Sequence, residues 1–179
     1  GRCAHALSAS AALLFVYVGS SACLSAAREL MPEKGGAALR VLVPSFFGAA
    51  FHVLMQLAFP LFAAETAFLT ALCPVYFVAS GFAVRSGSET LPETASAAAS
   101  ESFSAALLLL GVALLREPIG FGSISVPGAG GAVMLFESAA AERMTVRALS
   151  TGAGGLMLLA FLVVAYRRIR ARLFGETRE

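Results

Sequence analysis

The chain has 179 residues, 58% of them hydrophobic and only 13% charged, with no tryptophan and a mean hydropathy of +0.81, a composition that excludes an ordinary soluble domain. It contains neither Asp nor Asn, which removes Asp-based calcium loops, Ser-His-Asp triads and most two-metal hydrolytic sites. The net charge is only +2, and the basic residues gather at the ends of apolar runs, so the expected partner is a lipid bilayer and not nucleic acid.

In chain order, the first uncharged run is 6–27, long enough for a crossing, which takes roughly 20 apolar residues. Within it Gly19, Cys23 and Ala27 recur at spacing four, a small-residue stripe that lets a neighbouring helix approach closely. Cys23 is then a packing residue, with a cofactor ligand as the alternative. Positions 28–36 carry the Pro, Gly and charge of an aqueous loop. The second crossing is 41–57, with Pro44 in its first turn, where a missing backbone donor costs little. His52 and Gln56 lie four apart and share a face, either as interhelical hydrogen-bond partners or as part of a proton or ion relay.

Between Arg40 and Arg85 every residue is apolar or small and polar apart from His52, Gln56 and Glu65, and Pro60 marks a place near the middle where the chain can turn. The third crossing is 61–84. An acid at or inside a membrane boundary is costly, which makes Glu65 a candidate for function. Thr66, Thr70, Cys73, Phe77 and Ser80 follow helical spacing and form one face, and Pro74 predicts a kink or break. A bent helix with a polar stripe and a nearby acid suits an ion or cofactor path; ordinary packing with an interfacial Glu65 suits it as well.

Positions 85–101 read as a solvated loop, and 102–117 as a fourth apolar helix that ends at Arg116 and Glu117, because Pro118 disfavours helix in the residue before it. Positions 120–131 read as a flexible, nearly uncharged loop without dinucleotide glycine spacing or a Walker lysine. The apolar piece 132–136 is too short to cross and is expected at the interface or as a re-entrant element. The last crossing is 148–166, with Thr151 and Gly155 at small-residue spacing, followed by a basic tail, 167–179, that opens with Arg167, Arg168, Arg170 and Arg172. Alternating the loops puts nine Lys/Arg on the side of that tail and four on the other, so the C-terminus is expected in the cytoplasm. The three cysteines form no CxxC pair, so a zinc ribbon, a thioredoxin motif or a disulfide framework is not expected. The fold expected is an all-α, polytopic integral membrane helix bundle, one transmembrane domain over 1–179 with five crossings, one of them kinked or broken. An odd number of crossings and a first residue Gly1 in place of Met suggest a further crossing upstream.

Four segments then carry a resemblance: 38–42, the basic start of a helix; 59–69, a Phe-Pro-Leu-Phe opening followed by Glu65 and Thr66; 102–118, closing on Arg116 and Glu117; and 150–161, rich in Gly and Leu. In this order they resemble the Rnf/Nqr family of small membrane subunits, the RnfA/RnfE and NqrD/NqrE types, found in the ferredoxin:NAD oxidoreductase and the sodium-pumping NADH:quinone reductase. The resemblance implies six helices in two inverted halves, a bacterial cytoplasmic membrane, and partner subunits carrying flavin and iron–sulfur groups. It also implies an iron–sulfur centre held by cysteines of two paired subunits, none of it bound by this chain alone. Glu65 and Thr66 stand where the family has asparagine and its ligand cysteine, the helix with the other ligand is missing, and Cys73 lies two helical turns beyond Thr66, about 10 Å along the axis. A threonine hydroxyl is a poor iron ligand beside a thiolate.

The function expected is that of a membrane subunit of an ion-translocating electron-transport complex, passing or scaffolding electron transfer and catalysing nothing alone. Glu65, Thr66, Thr70 and His52 are the candidates for an ion or proton path, Cys73 for a metal ligand, and Arg116 and Glu117 for a helix-end motif. The alternatives are a cluster-less structural or ion-path subunit of the same fold, and a small proton- or sodium-coupled secondary transporter.

Overall fold

Apolar runs this long have only one way to satisfy their backbone without water, which is to coil. The computed structural model describes residues 3–28, 35–87, 90–121, 123–128, 131–137 and 152–174. Its helices are α1 (Cys3–Ala26), α2 (Gly36–Ala58), α3 (Pro60–Ala79), the single turn α4 (Phe82–Arg85), α5 (Leu91–Phe121) and α6 (Gly152–Phe174), with a hairpin of β1 (Ser123–Gly128) and β2 (Gly131–Glu137) between the last two. Four of them, α1, α2, α3 and α5, are long and apolar enough to cross a membrane; the apolar part of α6, Ala153–Val164, is shorter.

α1 is the axis of the assembly, with α5, α2 and α3 all packed on it. Of its apolar stretch 56% is buried within the chain, against 17% for α2, which therefore turns most of its surface outward. The distribution of side chains inverts that of a soluble protein. Outward lie Phe46, Leu57, Phe68, Leu114, Leu156 and Phe161, each more than half exposed, while Ser20, Ser21, Thr66, Thr94 and Ser102 are wholly buried. Such a molecule is at ease only where its surroundings are as apolar as leucine, and small hydroxyl residues are then the natural packing surface between helices. The apolar helices fit a membrane-embedded protein.

Close approach explains the particular contacts. A Cβ added at Gly19 would lie 2.6 Å from the Phe47 ring, and one at Gly48 would lie 2.5 Å from Pro74 Cγ, so these glycines seat α1 on α2 and α2 on α3. Tyr17 is fully buried in the middle of α1, its ring 4.9 Å from that of Phe77 in a T-shaped contact and its hydroxyl 3.0 Å from Ser80 Oγ. Along α5 the buried residues Thr94, Ala98, Ser102, Ala106, Ala113 and Glu117 make one narrow stripe, and Ser10 Oγ donates to the Ala106 carbonyl at 3.4 Å. α1 and α5 run antiparallel, so the first turn of α1 meets the last turns of α5 at one end of the bundle.

Several sequence expectations are corrected. The solvated loop expected at 85–101 is largely helical: α5 begins at Leu91, where Glu93 Oε2 accepts from both the Thr90 hydroxyl at 2.6 Å and the Thr90 backbone N–H at 3.4 Å, and the Ser-Ala lead-in is the surface that docks on α1. α5 also does not stop at Glu117 but runs through Pro118 to Phe121, because a missing donor so near the end forfeits a single bond. α3 continues through Pro74; the interruption comes at Gly81, whose φ of +77° is the left-handed conformation that ends helices. Of the expected loop 120–131, 120–121 close α5 and 123–128 form β1, and the short apolar piece 132–136 lies in β2, which pairs antiparallel with β1 with Gly128 opposite Gly131, so the described residues are mostly but not wholly helical. Of the expected tail, 167–174 continues α6, and 175–179 lies outside the described residues. The last crossing is described only from Gly152, so 148–151, with Thr151, falls outside them as well. Finally, Cys23, expected as a packing residue, is exposed, while Gly19 of the same stripe packs closely on Phe47.

Candidate functional site

The N-terminus of α1 presents backbone N–H groups that no helical carbonyl can reach. Two of them are met from other elements: the Cys3 N–H donates to Glu117 Oε2 at the end of α5, and the Ala4 N–H to Ser125 Oγ of β1 at 3.5 Å. Glu117 is wholly buried, its Oε1 without a hydrogen-bond partner among the described residues, and the Cys3 thiol faces the same carboxylate. A carboxylate at this position is favoured by the partial positive charge of a helix start. The hairpin closes this end, since β1 packs on α1 and α5, and β2 on α3.

Two residues further along α1, His5 reaches α3. Its Nε2 lies 3.5 Å from Glu65 Oε2, and its ring stands edge-on to Phe62 at 5.5 Å between centroids. The Glu65 side chain is 52% exposed and that of His5 20%, so the carboxylate looks outward while the imidazole is sheltered behind it. Glu65 Oε1 also lies 3.7 Å from where a Gly131 Cβ would stand, at the first residue of β2. This end of the bundle thus gathers two carboxylates, one imidazole and one thiol: Glu65, Glu117, His5 and Cys3.

The other sequence candidates lie elsewhere. Thr66 is buried beside Glu65, but its hydroxyl turns back to the Phe62 carbonyl at 3.0 Å; Thr70 does the same with Ala67 at 2.9 Å. His52 bonds Gln56 within α2, Nε2 to Nε2 at 3.0 Å. It shares with Thr70 an apolar groove of about 710 Å³ between α2 and α3, floored by Gly48, Ala67, Ala71 and Pro74. The structure therefore brings Glu65 together with His5 and not with His52. Cys73 faces α1, its sulfur 3.9 Å from the Ala9 carbonyl, beside a separate apolar cavity of about 340 Å³. Arg116 approaches Gly155 of α6, with its guanidinium 3.4 Å from an added Cβ there, while Glu117 meets the start of α1.

His5, Cys3 and Tyr17 are the residues that the sequence does not single out. His5 is one of only two histidines in the chain, which is the signal it carries. It stands just ahead of the uncharged run, where a polar residue reads as flank.

An iron–sulfur centre needs thiolates converging at one point. Cys3, Cys23 and Cys73 lie near the start of α1, near its end and in the second half of α3, and among the described residues no three His, Cys, Asp or Glu side chains group to hold a metal ion. With the Thr66 hydroxyl committed to its own helix, this chain's described residues do not fit such a centre by themselves.

Comparison with known proteins finds no match: no protein-family model fits the chain, and no curated protein or solved structure is similar to it.

Proposed function

We propose that this chain is a membrane subunit of an ion-translocating electron-transport complex of the Rnf/Nqr kind, serving it as an ion-path or structural subunit and supplying no cluster ligand. The observation that carries the reading is the contrast between neighbours at one helix turn. Thr66, where the resemblance puts a cysteine, is buried and back-bonded, whereas Glu65, in place of asparagine, is half exposed and held by His5. A carboxylate poised at the edge of a helix bundle can accept and release a cation or proton, and the imidazole beside it offers a second site for a proton. In this reading the chain makes five crossings of a bacterial cytoplasmic membrane, with Arg28, Arg40, Arg85 and the C-terminus in the cytoplasm and the hairpin on the opposite side. One contact agrees with that sidedness: Arg40 at the start of α2 comes close to Gly87 beyond α4, at the end of the bundle away from Glu117.

The test is purification of the chain with its partners, followed by iron and acid-labile sulfide analysis and ion-flux measurement in vesicles. The proposal expects Glu65→Gln to lower flux several-fold while iron and sulfide stay unchanged, and Cys73→Ser to leave both alone. Flux indifferent to Glu65→Gln contradicts an ion path through this residue, and loss of iron in Cys73→Ser contradicts the cluster-less reading. One observation favours a second reading, a proton-coupled secondary transporter: the His5–Glu65 pair needs no redox partner. Copurification separates the two, because flavoprotein partners exclude the transporter and a solitary, transport-competent homo-oligomer excludes the complex.

A further inference from the structure

The basic end of α6 is part of the helix and not a detached tail. α6 runs unbroken from Gly152 to Phe174, so Arg167, Arg168, Arg170 and Arg172 all stand on its last turns. At 100° per residue these four positions fall within about 200° of the helix circumference, and Tyr166, Ile169 and Leu173 take the positions on the remaining arc. Four arginines within two turns keep this segment out of hydrocarbon. Its depth follows from the stretch before it. Positions 148–166 are uncharged and have the length of one crossing, and the described helix covers them from Gly152 onward. The first arginine thus falls where hydrocarbon gives way to headgroups, and long arginine side chains place their guanidinium groups at that level by snorkelling.

Among the described residues α6 is also the most weakly held helix. It packs on α5, through the Arg116–Gly155 approach near its start, and Leu156, Met157, Phe161 and Val164 are all at least 60% exposed. Arg168 is exposed too. No acidic residue lies between Arg167 and Phe174, so the charge is not answered from within that segment. Four arginines within six residues at headgroup depth match the phosphate oxygens of anionic phospholipids, which arginine binds in bidentate fashion.

We propose that the C-terminal turns of α6 form a binding site for anionic phospholipid headgroups, which fixes this loosely packed helix in the membrane. The proposal rests on the chain being membrane-embedded but not on the identity of any complex. Near an anionic surface each arginine is worth roughly a five-fold gain in affinity. The test is native mass spectrometry of the purified full chain, released from detergent after incubation with phosphatidylglycerol or phosphatidylcholine. Two variants are compared with the parent, one with Arg167, Arg168, Arg170 and Arg172 all changed to Gln and one with all four changed to Lys.

The expected result is preferential retention of phosphatidylglycerol by the parent, reduced at least ten-fold in the Gln variant, and largely kept in the Lys variant, with melting temperatures alike in neutral detergent. Equal retention of the two lipids by the parent overturns the proposal, as does undiminished phosphatidylglycerol retention in the Gln variant. Release of a copurifying acidic protein by the Gln substitutions, with lipid retention unchanged, would assign this end to a protein and overturn it as well. Recovery of the parent in the aqueous fraction without detergent removes the membrane premise instead, which is a separate and recognisable failure.

Discussion

Tyr17 shows how single residues decide this structure. Its ring fills the junction of α1, α3 and α4, against Phe77 and Phe82, and its hydroxyl meets Ser80 just beyond the end of α3. The two contributions can be separated. Tyr17→Phe keeps the packing and loses one hydrogen bond, an expected cost of about 0.5–1.5 kcal/mol; Tyr17→Ala leaves a cavity and is expected to cost about 3–5 kcal/mol. Unfolding of the detergent-solubilised chain measures both, and equal losses would contradict the packing role. Gly48 fails in the opposite sense: Gly48→Val drives a side chain into Pro74 and is expected to cost about 1–3 kcal/mol through overpacking, read in the same assay. At this scale the sequence speaks partially. Glu65 stands out because a charge among apolar residues is conspicuous anywhere, but its partner His5 comes from another helix. Sequence spacing relates only residues of one helix; His52 stands beside Glu65 as a candidate because both interrupt the same apolar run, and only tertiary packing selects His5.

The long apolar helices are legible because hydrophobic length is a strong signal. The first third of α5 is the instructive failure. The stretch 91–101 is rich in Ser, Ala, Thr and Glu, and in water that composition belongs to a loop. Here Thr94, Ala98 and Ser102 are the small residues by which α5 lies against α1, a surface that hydropathy cannot distinguish from a solvated segment although its spacing of four was visible. The expected consequence is an inverted mutational pattern. Ala98→Leu and Ala106→Leu, nominally more hydrophobic, are expected to destabilise by about 1–3 kcal/mol by prising α5 from α1, whereas Leu114→Ala on the outward face changes stability little. Chemical denaturation of the three variants in detergent checks this, and the reverse ranking would contradict the assigned interface. The α3–α4 corner makes a similar point. Proline was the visible helix breaker, yet Pro74 stays inside α3, and the chain changes course at Gly81, where φ is positive and no side chain is crowded. Gly81→Ala is therefore expected to cost about 1–2 kcal/mol from backbone conformation alone, measurable as a lowered Tm. The hairpin was missed because its strands are short and bounded by glycines, and its place is set by Ser125 and the first turn of α1, far apart in sequence.

The whole molecule is organised with its ends unlike each other. Glu65, Glu117, His5 and Cys3 collect under the hairpin, while Arg40 and Arg85 mark the opposite end, and the flank of the bundle between them is covered by Leu, Phe and Val. Buried hydroxyls and outward aromatics are costly in water and favourable in lipid, so the packing pattern and the hydropathy of the chain make the same demand on their surroundings. The proposed ion-path role of Glu65 and the proposed lipid contacts of α6 both presuppose those surroundings. Fractionation of the expressed full chain, with alkaline carbonate washing and then extraction with and without detergent, tests them most directly. The chain is predicted to stay with the membrane through the wash and to leave it only with detergent; a stable monomer recovered from the aqueous fraction without detergent would contradict the account.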